Sequence, residues 1–419
     1  MPILIKNIRG LAGVYESAPN FLRGTEMDHL PVLENAFLAI DEGRISAYGS
    51  MAEWGGISDW RNLKIIDAEG RFVLPAWCDS HTHLVFAGTR EREFEDRIKG
   101  MSYEDIARRG GGILNSAAKL AGMSEDSLFE NAHVRLDEVA MQGTGAIEIK
   151  SGYGLSTETE IKMLRVIKRL REESDMIVKS TFLGAHAIAA EYKNDRRKYI
   201  DLVLNEMMPR VAEENLADYA DVFCESGYFS VNETLEIVEK AASLGMKSKI
   251  HVNQFNTLGA IPKLVAAGVV SVDHLEVMDE GDYVALSGAK TIATALPLCS
   301  LFLGIPYTPA RELINRGAIL ALASDYNPGS APSGNMSLAV SLACMKMSIT
   351  PAEAINAATI NGAAAMEIGP IAGTITEGKI ANLIITKPCE HLSFLPYSFG
   401  APAIDGMIVN GKIKKSLPE

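Results

Sequence analysis

Between residues 72 and 366 the chain repeats one unit, a short apolar run followed by an amphipathic stretch. The runs are Phe72–Trp77, Ala146–Ile149, Ile177–Leu183, Asp221–Cys224, Lys249–Val252, Ser271–His274, Thr291–Ala295 and Ala318–Ala323, eight in all. Eight strand–helix alternations favour an α/β chain folded as a parallel (β/α)8 TIM-like barrel over an open doubly wound sheet. The intervening stretches carry helix punctuation. Thr157-x-x-Glu160 and Ser230-x-x-Glu233 read as capping boxes, Gly245 and Gly317 stand where a helix would end, and Thr350-Pro351 opens a further helix beyond the eighth strand. From Trp77 to Ala146 the gap exceeds sixty residues, the length of an elaborated loop that in a barrel would lie over the active face. The flanking segments have another texture. Ile3–Ile8, Ala36–Ile40 and Leu63–Asp67 at one end, and Ala381–Thr386 and Ile404–Val409 at the other, are β-type runs separated by turns, the last followed by the hairpin signal Asn410-Gly411.

Composition narrows the partners. In 419 residues, 40 Lys and Arg face 53 Asp and Glu, a net charge of −13 with no like-charge block. Nucleic-acid phosphates and anionic membranes need a basic footprint, so neither is expected as a partner. A small anionic ligand held by a local cation remains open. The first ten residues carry no signal-peptide pattern, and the expected location is the cytoplasm. Cysteines 78, 224, 299, 344 and 389 are scattered, without the spacing of a disulfide framework or a thiolate zinc site. Thr291 to Ala310 is uncharged, but Pro297, Pro306 and Pro309 interrupt it too often for a spanning helix.

Five of the eight histidines fall at strand ends: His81 and His83 after the first, then His186, His251 and His274. Asp325 follows the eighth strand. In a barrel the C-terminal strand ends converge, so positions more than two hundred residues apart become neighbours. His81 and His83 alternate at period two and face the same way on an extended segment. With one further His and a carboxylate they suit a divalent ion such as zinc or iron with room for a water. A bare His-x-His is equally an ordinary pair of turn histidines, and for His186 and His274 the alternative is a hydrogen-bonded core histidine. Arg90, followed by Glu91, Arg92 and Glu93, reads by itself as a solvated loop charge, and Tyr103 and Tyr153 as packing aromatics.

The segments His81-Thr-His-Leu-Val-Phe-Ala-Gly-Thr-Arg90, Gly110–Gly112, Lys150-Ser-Gly-Tyr-Gly-Leu155, Thr181-Phe-Leu-Gly-Ala-His-Ala187, Asp273-His-Leu-Glu276 and Ser324-Asp-Tyr-Asn-Pro-Gly-Ser330 together resemble the imidazolonepropionases, a family within the amidohydrolase superfamily. The resemblance implies a metal-bearing barrel over residues 72–366 and a small β-sandwich assembled from 1–71 and 367–419. It implies His81, His83, His251 and Asp325 as ligands of one divalent or trivalent ion per subunit, zinc or iron. It also implies Arg90 and Tyr103 on a propionate arm, with Tyr153, His186, Gln254, Asn327, Gly329 and Ser330 around the ring. The implied reaction is hydrolysis of the cyclic amide of 4-imidazolone-5-propanoate to N-formimidoyl-L-glutamate in histidine degradation, by a metal-activated water. Asp325 and His274 are the catalytic pair, and which of them is the general base stays open.

Two subfamily features bear on this. Dinuclear relatives carry a lysine on the fourth strand, where Asp221-Val-Phe-Cys-Glu-Ser-Gly227 has none, so a single ion is expected. Nucleobase aminohydrolases carry a Glu three residues after the fifth-strand His, where Gln254 stands and cannot titrate. Ala76, Cys78 and Asn382 depart from the usual pattern, with Cys78 expected to pack as a small hydrophobe. Competing readings are a different cyclic amidohydrolase and a barrel kept as an interaction protein. For assembly, a symmetric homodimer is the base-rate expectation.

Overall fold

The computed structural model describes residues 2–57, 61–101, 105 and 111–417. Along the chain, β1 (Ile3–Ala12), β2 (Val32–Asp41), β3 (Arg44–Ser50), β4 (Lys64–Asp67) and β5 (Phe72–Pro75) come first. Then follow β6 (Trp77–Thr82), β7 (Thr144–Lys150), β8 (Ile177–Ala185), β9 (Tyr219–Cys224), β10 (Lys247–Val252), β11 (Ser271–His274), β12 (Ile292–Ala295) and β13 (Leu320–Leu322). The chain ends with β14 (Leu383–Thr386), β15 (Ile404–Val409) and β16 (Lys412–Lys415).

Strands β6 to β13 form one sheet in sequence order, every pair parallel, as the eightfold alternation predicts. The ring closes through residues just beyond the last strand. Tyr326 bridges Thr82, the His83 N–H donates to the Tyr326 carbonyl at 2.8 Å, and the Asp325 N–H donates to the His81 carbonyl at 3.0 Å. Barrel closure therefore positions His81, His83 and Asp325 against one another. On β7, Ile147 and Ile149 join the apolar layer shared with the helices, while the alternating Glu148 and Lys150 make polar contacts to other strands.

The other sheet runs β16-β15-β14-β5-β1-β2-β3, with β4 also paired to β1, so both chain ends contribute to it. Ile3, Ile5, Ile8, Leu11, Leu38, Ile40, Val73, Leu383, Ile385 and Ile408 fill its core. A register shift between Ile5 and Ile8, with Asn7 at φ 54°, moves the alternation by one residue and keeps Ile8 inward. Asn410 and Gly411, at φ 50° and 68°, make the expected tight turn between β15 and β16.

The expected first barrel strand, Phe72–Trp77, divides. Phe72–Pro75 pairs with β1 and β14 in the composite sheet, and the barrel strand starts at Trp77, whose N–H donates to the Gly143 carbonyl at 2.9 Å. One continuous apolar run crosses from sheet to sheet because both of its halves are buried, and hydrophobicity alone cannot show the change of partner. Asn382 fastens the crossing: its Nδ2 donates to the Gly145 carbonyl at 3.0 Å and its Oδ1 accepts the Asn410 N–H at 2.7 Å. Cys78 packs among Ala146, Ala363 and Met366, as a small hydrophobe should.

Ser230 and Glu233 form the expected capping box, as do Thr350 and Glu353, and Gly245 and Gly317 adopt φ 80° and 81°. The box expected at Thr157 is absent. Ser156 is the N-cap, and Glu160 turns away to accept the N–H groups of Gly152, Gly154 and Leu155 at 3.0, 2.6 and 2.9 Å. A fully buried carboxylate gains more from three converging donors than from one cap. The long segment after β6 contains the helices Glu91–Ile98, Gly112–Ala121 and Glu125–Met141. Thr291 to Ala310 breaks into β12 and the helix Pro297–Leu303, and no helix among the described residues is long and apolar enough to cross a membrane.

Candidate metal centre and substrate cavity

At the C-terminal ends of β6 and β10 three imidazoles meet edge to edge. His81 Nε2 lies 3.0 Å from His251 Nε2, which lies 3.3 Å from His83 Nε2. Asp325 Oδ1 is 3.6 Å from His81 Nε2 and 3.5 Å from His83 Nε2. All four side chains are buried.

The opposite ring nitrogens define the tautomers. His81 Nδ1 is hydrogen-bonded to Asp273 Oδ2 at 2.6 Å, which places its proton on Nδ1 and turns its Nε2 lone pair to the other imidazoles, and His251 Nδ1 has the Asp221 carboxylate 2.8 Å away on the same side. Burial, with the cation of Lys150 and neighbouring imidazoles adding to it, holds His81 and His251 well below the usual histidine pKa, and burial with His186 and His251 does the same for His83. Neutral lone pairs and a carboxylate oxygen aimed at one point repel unless a cation lies among them. Donors around a tetrahedral ion with bonds of about 2.0–2.1 Å stand about 3.3–3.4 Å apart, close to the observed spacing. The residues present therefore fit a single divalent ion.

Backbone strain gathers at the same place. Asn253 and Asp325 follow their strands at φ 58° and 55°, a left-handed region their short polar side chains tolerate, but His274 and Leu275, at φ 91° and 66°, are rare there. His274 Nδ1 is 3.2 Å from Glu276 Oε1. Burial opposes its protonation, but Glu276, Asp325 and Asp273 outweigh that and raise its pKa. Burial likewise lifts the Asp325 carboxyl to about 6, against the opposing pull of His274.

Above the four donors lies a cavity of about 580 Å³ lined by His83, Arg90, Tyr153, His186, Gln254, His274, Asp325, Asn327, Gly329 and Ser330. His81 lies beneath it, and Tyr103 falls outside the described residues. Arg90 is not a solvated charge: its side chain is 8% exposed, its Nε donates to Glu93 Oε2 at 2.8 Å, and it lies so close to Gly329 that any side chain there would collide with the guanidinium. His186 donates from Nδ1 to the Gly152 carbonyl at 2.9 Å, and burial lowers its pKa to about 4. Gly152, at φ 108°, leaves no space for a Cβ beside that ring. Gln254 Nε2 donates to Cys299 Sγ at 3.4 Å.

Asn327 is committed to its own loop. Its amide donates to the Asp325 carbonyl at 2.6 Å and to Ser330 Oγ at 2.8 Å, while its oxygen accepts the Gly329 and Ser330 N–H groups at 2.8 and 2.7 Å. Both amide hydrogens and both carbonyl lone pairs are used, so Asn327 shapes the cavity wall through its neighbours.

Several residues escaped sequence reasoning. Asp221, Asp273 and Glu276 orient His251, His81 and His274, Glu93 holds Arg90, and Glu160 shapes the loop that carries Tyr153. The signal for Asp273 and Glu276 was their place on either side of His274 in the segment Asp273-His-Leu-Glu276. Glu93 and Glu160 had none, since their partners are set by tertiary packing.

Comparison with known proteins agrees with this geometry. The sequence profile of the amidohydrolase family matches residues 72–415. A curated imidazolonepropionase of Christiangramia forsetii is 55% identical over 99% of this chain and 100% of its own length. The imidazolonepropionase of Clostridium tetani is 41% identical over 94% of each chain. Among solved structures, a triazine hydrolase variant superposes with a TM-score of 0.75 at 15% identity over 100% of this chain and 96% of that one, and E. coli guanine deaminase with 0.74 at 12% over 100% of each. These structural neighbours share the fold. A barrel whose strand ends converge on three imidazoles and an aspartate, matched along nearly all its length by the curated relatives, belongs to the amidohydrolase family and, within it, to the imidazolonepropionases.

Proposed function

We propose that the chain hydrolyses the ring amide of 4-imidazolone-5-propanoate to N-formimidoyl-L-glutamate at one metal ion held by His81, His83, His251 and Asp325. The observation that carries this reading is the convergence of those four donors, at 3.0 to 3.6 Å, at the foot of a cavity that His83, His251 and Asp325 line together with Arg90. The nitrogen and oxygen donor set suits zinc and iron alike. Such an ion, when bound, supplies an acidified water and a Lewis acid for the ring carbonyl.

The chain's own residues do the rest. Arg90 offers a planar fork to the propionate carboxylate, with Glu93 holding the guanidinium in place. Tyr153 and His186, their ring centroids 5.5 Å apart, form an aromatic wall that suits a flat five-membered ring. His274, with Glu276 3.2 Å from Nδ1 raising its pKa, offers its other nitrogen to the developing oxyanion. That leaves Asp325 as the base: Oδ1 faces the imidazoles, while Oδ2, 3.4 Å from Ser330 Oγ, takes the proton of the attacking water and returns it to the departing ring nitrogen. Gln254 can only hydrogen-bond, so proton transfer does not pass through it. We further propose that residues 72–366 carry the chemistry, Phe72–Pro75 being shared with the composite sheet, and that the unit of 1–71 and 367–419 anchors the start of the barrel, where Asn382 accepts the Ala76 N–H at 2.9 Å and donates to the Gly145 carbonyl.

The test is direct. Metal-replete protein should consume 4-imidazolone-5-propanoate and release one N-formimidoyl-L-glutamate per turnover, with the bound element identified by elemental analysis. Unchanged substrate would overturn the assignment.

A further inference from the structure

Of the Lys150–Leu155 segment, Tyr153 faces the cavity and the glycines shape the loop, but the proposed chemistry leaves Lys150 without a task. It is fully buried at the end of β7, a costly place for an ammonium. Its Nζ lies 2.9 Å from Glu148 Oε1, 2.9 Å from Asp221 Oδ2 and 3.9 Å from Asp273 Oδ2. The last two oxygens are the same atoms that approach the metal-binding imidazoles: Asp221 Oδ2 is 2.8 Å from His251 Nδ1, and Asp273 Oδ2 is 2.6 Å from His81 Nδ1. A chain of close charged contacts thus runs from His81 through Asp273, Lys150 and Asp221 to His251, joining five strands.

We propose that Lys150 is a positioning residue of the metal centre, cross-linking Asp221 and Asp273 and thereby setting the spacing and orientation of two of its imidazoles. The inference rests on the metal site proposed above. Partners of ligating histidines generally contribute tenfold to a hundredfold to metal affinity, and here two such partners share one ammonium. A second lysine supplies the contrast. Lys249 is also fully buried, but its Nζ donates to the Ser80 carbonyl and stands 3.8 Å from Glu148 Oε2, and no ion pair ties it to Asp221 or Asp273. Burying a charge explains both lysines equally. Only Lys150 is tied to the ligand-holding carboxylates.

The experiment compares full-length wild type, Lys150→Met and Lys249→Met, stripped with chelator and titrated with Co²⁺. Lys150→Met should bind cobalt about tenfold to a hundredfold more weakly, with a changed visible d–d spectrum, while Lys249→Met keeps both its affinity within about threefold and its spectrum even if it melts earlier. Should Lys150→Met fail to fold, Lys150→Gln takes its place, its amide donating to one carboxylate and giving an intermediate loss. Wild-type cobalt affinity and spectrum in a folded Lys150 variant would overturn the proposal. So would equal losses in both lysine variants, or failure of both Lys150 variants to fold while Lys249→Met folds. Absence of cobalt binding by the wild type would instead overturn the metal-centre reading on which the proposal stands.

Discussion

The two sheets of this protein solve burial in opposite ways. The composite sheet encloses Ile3, Ile5, Leu11, Leu38, Val73 and Ile408, an aliphatic interior with its ion pair, Arg71 to Asp405 at 3.2 Å, kept outside that cluster. The barrel encloses Asp79, Glu148, Lys150, Asp221, Lys249 and Asp273, fully or almost fully buried and linked across strands. An aliphatic interior gives stability in proportion to area and tolerates imprecise positions, whereas buried charges stabilise little in net terms and demand correct geometry. Both sheets draw stability from apolar packing, and the barrel adds to its larger apolar core a set of buried charges that place the reactive groups.

The largest effect should come from the reactive end of the barrel. Asp325→Ala and His274→Ala are each expected to lower kcat by about a thousandfold. Only Asp325→Ala should also lose its metal, which elemental analysis of the purified variants reads directly. Equal metal loss in both would mean that His274 belongs to the ligand set. Next comes Arg90→Ala, which should raise KM for the propionate substrate by about tenfold to a hundredfold, the loss of one charge-assisted contact. Steady-state kinetics with the intact substrate and an analogue lacking the carboxylate checks this, since the analogue should scarcely distinguish the variant.

The converse break belongs in the composite sheet. Ile5→Ala should reduce stability by about 2–5 kcal/mol in denaturant unfolding, with kcat and metal content unchanged below the transition. A fall in kcat there would show that the composite sheet also tunes the site. The smallest effect concerns an ion pair on the barrel's outer surface. Arg196 holds Glu233 at 2.6 Å. Despite partial burial, hydrogen bonds from Arg196 and Ser230 lower the Glu233 pKa from 4.5 to about 2. The folded-state pKa lies below the unfolded one, so the stabilisation is complete above about pH 4.5 and is lost as pH falls toward about 2. Solvent screening limits it to about 1 kcal/mol, and Glu233→Gln should flatten that part of the acid-unfolding curve.

Much of the barrel was readable from the chain because hydrophobic period and helix punctuation are local properties. Ser230, Gly245, Gly317 and Thr350 behave as their sequence context requires. Where a residue had a better distant partner, local reading failed: Glu160 abandons the cap for three loop N–H groups, and the run from Phe72 changes sheets after Pro75. Barrel topology brings His81, His83, His186, His251, His274 and Asp325 to one face, while the choice of His81, His83, His251 and Asp325 as one set rests on the family resemblance. The same rule says nothing of which carboxylate meets which ring.

By itself, then, the sequence determined the eightfold alternation, the β-rich ends, and the histidines and aspartate at the strand ends, because periodicity and turn chemistry act over a few residues. Only the tertiary structure decided that Asp221 and Asp273 hold two of the imidazoles, that Lys150 joins those carboxylates, and that Glu93 rather than solvent meets Arg90. Those pairings are selected by which charges packing leaves without water, and burial of that kind exists only once the strands have closed.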